Sequence, residues 1–158
     1  MHRANKKTNM INNENSIRLI IKREFAEQIK SGEKKREYRC DSAFYQSKLY
    51  LKSATSKDGY TEQVENSGKK IFAKIKDIRY IVFQEGYTKN TFTCECTGWG
   101  YIKVKRLPEM NENDILYKEH QKEKPQPLIE LVKNEFEIDK MNEDDLFFLF
   151  CLGKIVED

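Results

Sequence analysis

Histidine, proline and tryptophan are scarce in this sequence: two, three and one among 158 residues. Cysteine is nearly as rare, and Cys40, Cys94, Cys96 and Cys151 are too scattered to staple a secreted disulfide scaffold. Cys94 and Cys96 do not have the spacing of a zinc knuckle, no second pair matches them, and His2 and His120 lie far off in polar stretches. No metal and no other cofactor is expected. The longest apolar run, Leu146 to Leu152, has seven residues, against the roughly 18 that a membrane span needs. No apolar core of a secretory signal follows Met1. The expectation is a soluble, cytoplasmic chain with reduced thiols and no membrane partner. Its oligomeric state is left open.

Charge and aromatic rings are what the chain does have, at 35% and 11% of residues. The rings and the length allow a core without metal or disulfide. The charge is unevenly spread. Up to Arg106 there are 23 Lys and Arg against 12 Asp and Glu; from Leu107 onward there are 6 against 14. Such a split suggests a polyanion-binding face on the basic part. Equally, it suggests two parts that attract each other.

The pattern divides the chain into a mobile, disordered tail (1–16), a body (17–106) and an acidic, helical C-terminal extension packed on it (107–158). In the body, Arg18 to Lys22 is an apolar run between charges and reads as a buried strand. Glu24 to Ser31 reads as a short helix with Phe25 and Ile29 on one face, stopped by Gly32. Strands are expected at Lys35–Cys40 and Ser47–Lys52, and a half-buried strand over Ile71–Lys76 is expected to bend near Asp77 and continue through Tyr80 to Phe83. Two more flank a turn at Thr97-Gly98, Thr91–Cys96 and Trp99–Arg106. In the extension, Leu107–Pro127 is a charged connector and Leu128–Phe136 an amphipathic helix. Asn142 is a good N-cap for a second helix, Glu143–Leu152, whose Leu146–Phe150 stretch is apolar all round. That helix is either buried or a docking surface for a partner. The fold class is α+β: a small mixed or antiparallel barrel with an early short helix and C-terminal helices.

Strand Lys35–Cys40 is unusual because neither face is apolar. Alternation puts Lys35, Glu37 and Arg39 on one side and Arg36, Tyr38 and Cys40 on the other. Either it is an edge strand with a solvated face, or Glu37 pairs with the cations around it. A second candidate is the stretch from Trp99. Trp99, Tyr101, Lys103 and Lys105 share one face, and Gly100, Ile102 and Val104 the other. Rings beside cations suit a single-stranded nucleic-acid platform. They equally suit a tryptophan packed under a loop beside an ordinary solvated face.

With its preceding strand and helix, the segment Gly32-x-Lys34-x-x-Glu37-x-Arg39 resembles the ASCH domain, a branch of the PUA-like β-barrel superfamily. The resemblance spans about Ile17 to Arg106 and is specific over Lys22 to Arg39. It implies a PUA-like barrel whose motif residues line a cleft beside the first helix, and a ligand that is RNA, a nucleotide or a nucleoside. One branch of the family removes the acetyl group from acetylated cytidine with a Lys and a Thr. This chain keeps the Lys as Lys34 but has Glu37 in place of the Thr, so that reaction is not implied. Glu37 remains a candidate general base toward water. Other members are ribonucleases, but both histidines here lie outside the resembling segment.

Chemistry then assigns roles. Lys34 offers a point charge, Arg39 a planar fork for phosphate or a base edge, Glu37 an acceptor that orients Arg39 or meets an exocyclic amine, and Lys22 charge at the rim. The expected function is an RNA- or nucleotide-binding, regulatory module using Lys22, Lys34, Glu37, Arg39, Trp99, Tyr101, Lys103 and Lys105. The alternative is a hydrolase of a modified nucleoside or of RNA with Lys34 and Glu37 as its acid/base pair. The same four motif residues also fit an internal salt-bridge network that ties the helix to the barrel.

Overall fold

The computed structural model describes residues 10–64 and 68–156. The remainder of the expected tail, residues 1–9, lies outside the described residues. Residues 12–15 form a turn in which Asn12 Oδ1 accepts from the Glu14 N–H at 2.8 Å. The Asn15 carbonyl accepts from the N–H groups of Arg79 and Tyr80 at 2.8 and 3.1 Å, which anchors the start of the first strand.

The element order is β1 (Ser16–Ile21), α1 (Arg23–Ser31), β2 (Arg36–Cys40), α2 (Ala43–Lys48), β3 (Tyr50–Ser53), β4 (Thr61–Val64), β5 (Lys70–Ile75), β6 (Tyr80–Glu85), β7 (Thr91–Lys103), α3 (Leu128–Glu135) and β8 (Leu146–Val156). Short 3-10 turns fill the connector between β7 and α3. The strands form a five-stranded sheet in the order β1-β6-β7-β8-β2 and a three-stranded antiparallel sheet in the order β3-β5-β4. In the larger sheet β1 runs parallel to β6 and every other pair is antiparallel. This mixed sheet curls into a half-barrel, so the fold is α+β.

The expected early unit forms, with one correction: Phe25, expected on the same helix face as Ile29, is 38% exposed, and Ala26 is buried in its place. Ile17, Leu19 and Ile21 alternate inward along β1 and meet Ala26 and Ile29 of α1. Gly32 ends the helix at φ 85°, a left-handed conformation that glycine adopts without penalty.

Four local expectations are corrected. The strand expected to bend near Asp77 and run on is two strands, Lys70–Ile75 and Tyr80–Glu85, in different sheets. Ala43–Lys48 is a helix, not a loop running into a strand; Ser42 caps it by accepting from the Tyr45 N–H at 3.2 Å. Thr91–Lys103 is one long strand with irregular register near Cys94, Cys96 and Gly98, not two strands around a turn. Gly98 is there for close approach: a β-carbon on it would lie 2.2 Å from the Ile115 carbonyl oxygen. Val104–Glu109 turns away as a 3-10 helix instead of extending the strand.

The largest correction is at the C-terminus. Leu146–Val156 is a strand, not a helix, and it lies between β7 and β2. An apolar run of this length fits a strand buried on both faces as well as a buried helix. Both faces are indeed covered here. Phe148 and Phe150 join Leu19, Ile81 and Phe83 in one core. Phe147 and Leu149 join Ile102, Leu128 and Val132 in a second core beneath α3. Residues 107–158 therefore supply an interior strand of the main sheet, and Leu146–Phe150 is not a docking surface.

The basic and acidic parts are joined by ion pairs. Glu135 receives a fork from Arg36, Nε at 2.6 Å and Nη2 at 2.9 Å, and the Tyr38 hydroxyl donates to it at 2.6 Å. Lys105 meets Asp144 at 3.0 Å, and Arg79 pairs with Glu119. Burial alone would raise the Glu135 pKa, but the hydrogen bonds from Arg36 and Tyr38 outweigh it and hold the carboxyl below its ordinary value of 4.5. A depressed carboxylate contributes stability above its unfolded pKa and loses it as pH falls through the folded one. Stability is thus expected to drop as acid protonates Glu135. Glu135→Gln should flatten that part of the curve in denaturant melts run from about pH 6 to about pH 3.

Candidate nucleotide-binding face

The motif residues are set by α1 and β2. Gly32 reverses the chain, and the Lys34 N–H donates to the Gln28 carbonyl at 3.0 Å, which fixes where β2 begins. Glu37 is buried, at 7% exposure. Its Oε1 accepts from the Tyr38 N–H at 3.0 Å and lies 3.9 Å from Lys34 Nζ; its Oε2 lies 3.8 Å from Arg39 Nη2. Glu37 is thus a buried carboxylate flanked by two cations, the pairing that a buried charge requires even on an edge strand. Lys34 Nζ also sits 5.6 Å from the centre of the Phe25 ring.

Arg39 is more committed than its sequence position suggests. Nη1 donates to the Tyr45 hydroxyl and Nη2 to the Ile20 carbonyl, both at 2.9 Å. Ile20 belongs to β1 and Arg39 to β2, the two edge strands of the curled sheet. The guanidinium therefore bridges the open seam of the half-barrel.

Strand register joins the two sequence candidates on one face. Glu37, Phe150 and Trp99 are cross-strand neighbours; Arg39, Phe148 and Tyr101 form the next row. Tyr101 stacks on Phe148 with centroids 4.6 Å apart, and its ring is 40% exposed. Phe44, at 62% exposure, projects from α2 and packs edge-on against Tyr45. The rings of Tyr101 and Phe44 thus flank the Arg39–Tyr45 pair, with Lys34 and Glu37 alongside. A stacked ring with one open face, an ammonium and a carboxylate are the groups needed to hold a base and an anion.

Other expected residues lie elsewhere. Trp99 is partly buried against Phe150, and its indole meets the Tyr117 hydroxyl, so its ring serves packing. Lys103 ends β7 opposite Leu146, half-buried. Lys105 falls on the 3-10 turn, paired with Asp144. Lys22 precedes α1 and is therefore about 14 Å of helix away from Lys34. It lines a separate hollow of about 580 Å³ with Lys30 and Glu85.

The residues that sequence reasoning passed over are Phe44 and Tyr45. Their signal was Ser42 ahead of a run of helix-compatible residues, a capping pattern that the Asp41-Ser42 pair disguises as a loop.

Burial pushes the thiols of Cys94, Cys96 and Cys151 up to about 12, which makes them poor nucleophiles. Among the described residues, no group of three or more His, Cys, Asp or Glu is arranged to hold a metal ion. No helix among them is long and apolar enough to cross a membrane. Comparison with protein-family models, curated proteins and solved structures gives no match.

Proposed function

We propose that the chain is an ASCH-type, PUA-like module that binds single-stranded RNA or a nucleotide on the face bearing Lys34, Glu37 and Tyr101. The observation that supports it most is the shared register of β2, β8 and β7, which puts the exposed Tyr101 in one cross-strand row with Phe148 and Arg39, on the sheet face that carries Glu37 and its partner Lys34. A base stacks on the open face of Tyr101, and an exocyclic amine reaches Glu37. Lys34 meets phosphate. Arg39 acts as a positioning residue that holds Tyr45 and the seam.

The test is polarisation of a labelled single-stranded RNA at two salt concentrations. Wild type is expected to bind and to weaken with salt. Lys34→Ala and Tyr101→Ala are each expected to lose about tenfold in affinity, the value of one charged contact or one stacked base. Binding that survives both substitutions would overturn the reading.

One observation favours a second reading, a hydrolase of a modified nucleoside or of RNA. Glu37 is a buried carboxylate with an ammonium 3.9 Å away, an arrangement suited to activating water. That reading predicts turnover that vanishes in Glu37→Gln while binding persists.

A further inference from the structure

Strand β1 pairs with β6 on one side only, so its other edge is open. Its outward carbonyls are those of Ser16, Arg18 and Ile20, and each accepts from a cation carried by a different element. Lys76 Nζ, just after β5, donates to Ser16 at 3.2 Å. Lys48 Nζ of α2 donates to Arg18 at 3.1 Å, and Arg39 to Ile20 at 2.9 Å. Lysine at a free edge blocks pairing with another chain. That role uses one proton per carbonyl and leaves the charge unanswered.

The charge is concentrated around a hollow of about 400 Å³ lined by Arg18, Lys48 and Lys76, with Ser47 and Tyr50 and, among the described residues, no acidic side chain. Lys76 is only 9% exposed, and its partners are neutral: the Ser16 carbonyl and Asn13 Oδ1, the latter at 3.1 Å. Burial lowers the pKa of both lysines; Arg18 and Arg39 lower that of Lys48 further, and Lys48 that of Lys76. Ammonium groups crowded without an anion favour one that arrives.

We propose that this hollow is a phosphate-binding subsite, in which Arg18, Lys48 and Lys76 hold a phosphate group of a nucleotide or of an RNA backbone. An ammonium has three donors, so Lys48 keeps two protons and Lys76 one for phosphate oxygens, and Arg18 adds its fork. Lys48 and Arg39 cap carbonyls two residues apart on β1, about 7 Å, so the hollow adjoins the seam that Arg39 bridges. The identity of the ligand rests on the nucleotide-binding reading; the phosphate chemistry does not.

The test uses the full chain and three probes at matched ionic strength: inorganic phosphate, a labelled single-stranded RNA, and vesicles containing phosphatidic acid. Phosphate is expected to raise the melting temperature of wild type relative to chloride, and this rise should vanish in Lys48→Gln with Lys76→Gln. Both glutamines retain a donor for the edge carbonyls. Arg18→Gln, at an exposed position, serves if the double variant does not fold. RNA affinity should fall about tenfold, and the slope of log affinity against log salt should shrink by about 0.7 for each phosphate that the variant no longer neutralises.

RNA binding with an unchanged salt slope in folded variants would overturn the subsite and leave the Tyr101 face standing. Phosphate stabilisation through these cations without RNA binding would uphold the subsite and overturn RNA as the ligand proposed above. Binding to the vesicles alone, in wild type only, would keep the phosphate chemistry and reassign its source to lipid. No response to any probe would overturn the subsite.

Discussion

Replacing either Phe147 or Phe148 with alanine is expected to destabilise the chain by about 3 to 5 kcal/mol, in both cases. The equality is the informative part. The two residues are neighbours in sequence, and both are 0% exposed. In β8 they point to opposite faces, Phe147 under α3 and Phe148 beneath Tyr101 and Tyr45. Each side has packed to interior density, so each truncation leaves a cavity. Denaturant melts of the two variants and of the pair check this. Because the cavities lie on different sides of the sheet, the pair should lose close to the sum of the singles, or fail to fold. A harmless Phe148→Ala would mean that this segment is a solvated face and not an interior strand.

The second large effect is expected at Arg39. Arg39→Met removes two hydrogen bonds from a charged donor, and with them the tie from the seam to β1 at the Ile20 carbonyl. It also leaves Glu37 buried with Lys34, 3.9 Å away, as its neighbouring cation. Breaking such a cluster on one side costs about 3 kcal/mol, which is about 10 °C in melting temperature for a chain of this size. Adding Glu37→Gln should recover part of that loss, because the buried charge goes with its partner. Arg39→Lys should fall between, keeping charge near Glu37 but not the fork that spans Tyr45 and Ile20. If Arg39→Met melts like wild type, the seam is held by other contacts and Arg39 is free to meet ligand.

These effects also show where the sequence speaks and where it does not. The unit from β1 through α1 to β2 was legible because short-range rules govern it. Alternation sets the inward face of β1, Ala26 and Ile29 set the buried face of α1, and Gly32 ends it, whereas Phe25, expected beside Ile29, is exposed under Lys34. For Lys35–Cys40 the sequence left two readings open, and the structure takes a part of each: β2 is an edge strand, yet its Glu37 is buried between cations, as a carboxylate out of water must be. β8 was not legible, because an apolar run buried on both faces carries no period. Its lead-in misled as well. Asn142 and Asp145 look like a helix start, but the Asn142 N–H donates to Asp145 Oδ2 at 2.8 Å and the Asp145 N–H to the Asn142 carbonyl at 3.0 Å. That closes a turn, and the chain leaves it extended. The composition of the candidate face was legible in two pieces, the Gly32–Arg39 motif and the Tyr101 strand. Their meeting was not, since it depends on β8 lying between β7 and β2. The charge split left two readings open, and attraction between the two parts is one that the ion pairs bear out. Acids from Leu107 onward answer cations in the body, as Glu135 answers Arg36, while Arg18, Lys48 and Lys76 collect at the β1 edge around a hollow with no acidic side chain among the described residues.

Ligand binding on the Tyr101 face of the sheet is the pivot of the proposed function. The most direct measurement follows the aromatic resonances of Tyr101 and Tyr38 by nuclear magnetic resonance as single-stranded RNA or a mononucleotide is added. Tyr101 and Tyr38 sit on opposite faces, one stacked on Phe148 and the other on Phe136. Tyr101 is expected to shift with saturating dependence on ligand while Tyr38 stays in place, and Lys34→Ala should move the Tyr101 curve to higher concentration. Shifts at Tyr38 with none at Tyr101, or no shift at either, would contradict it.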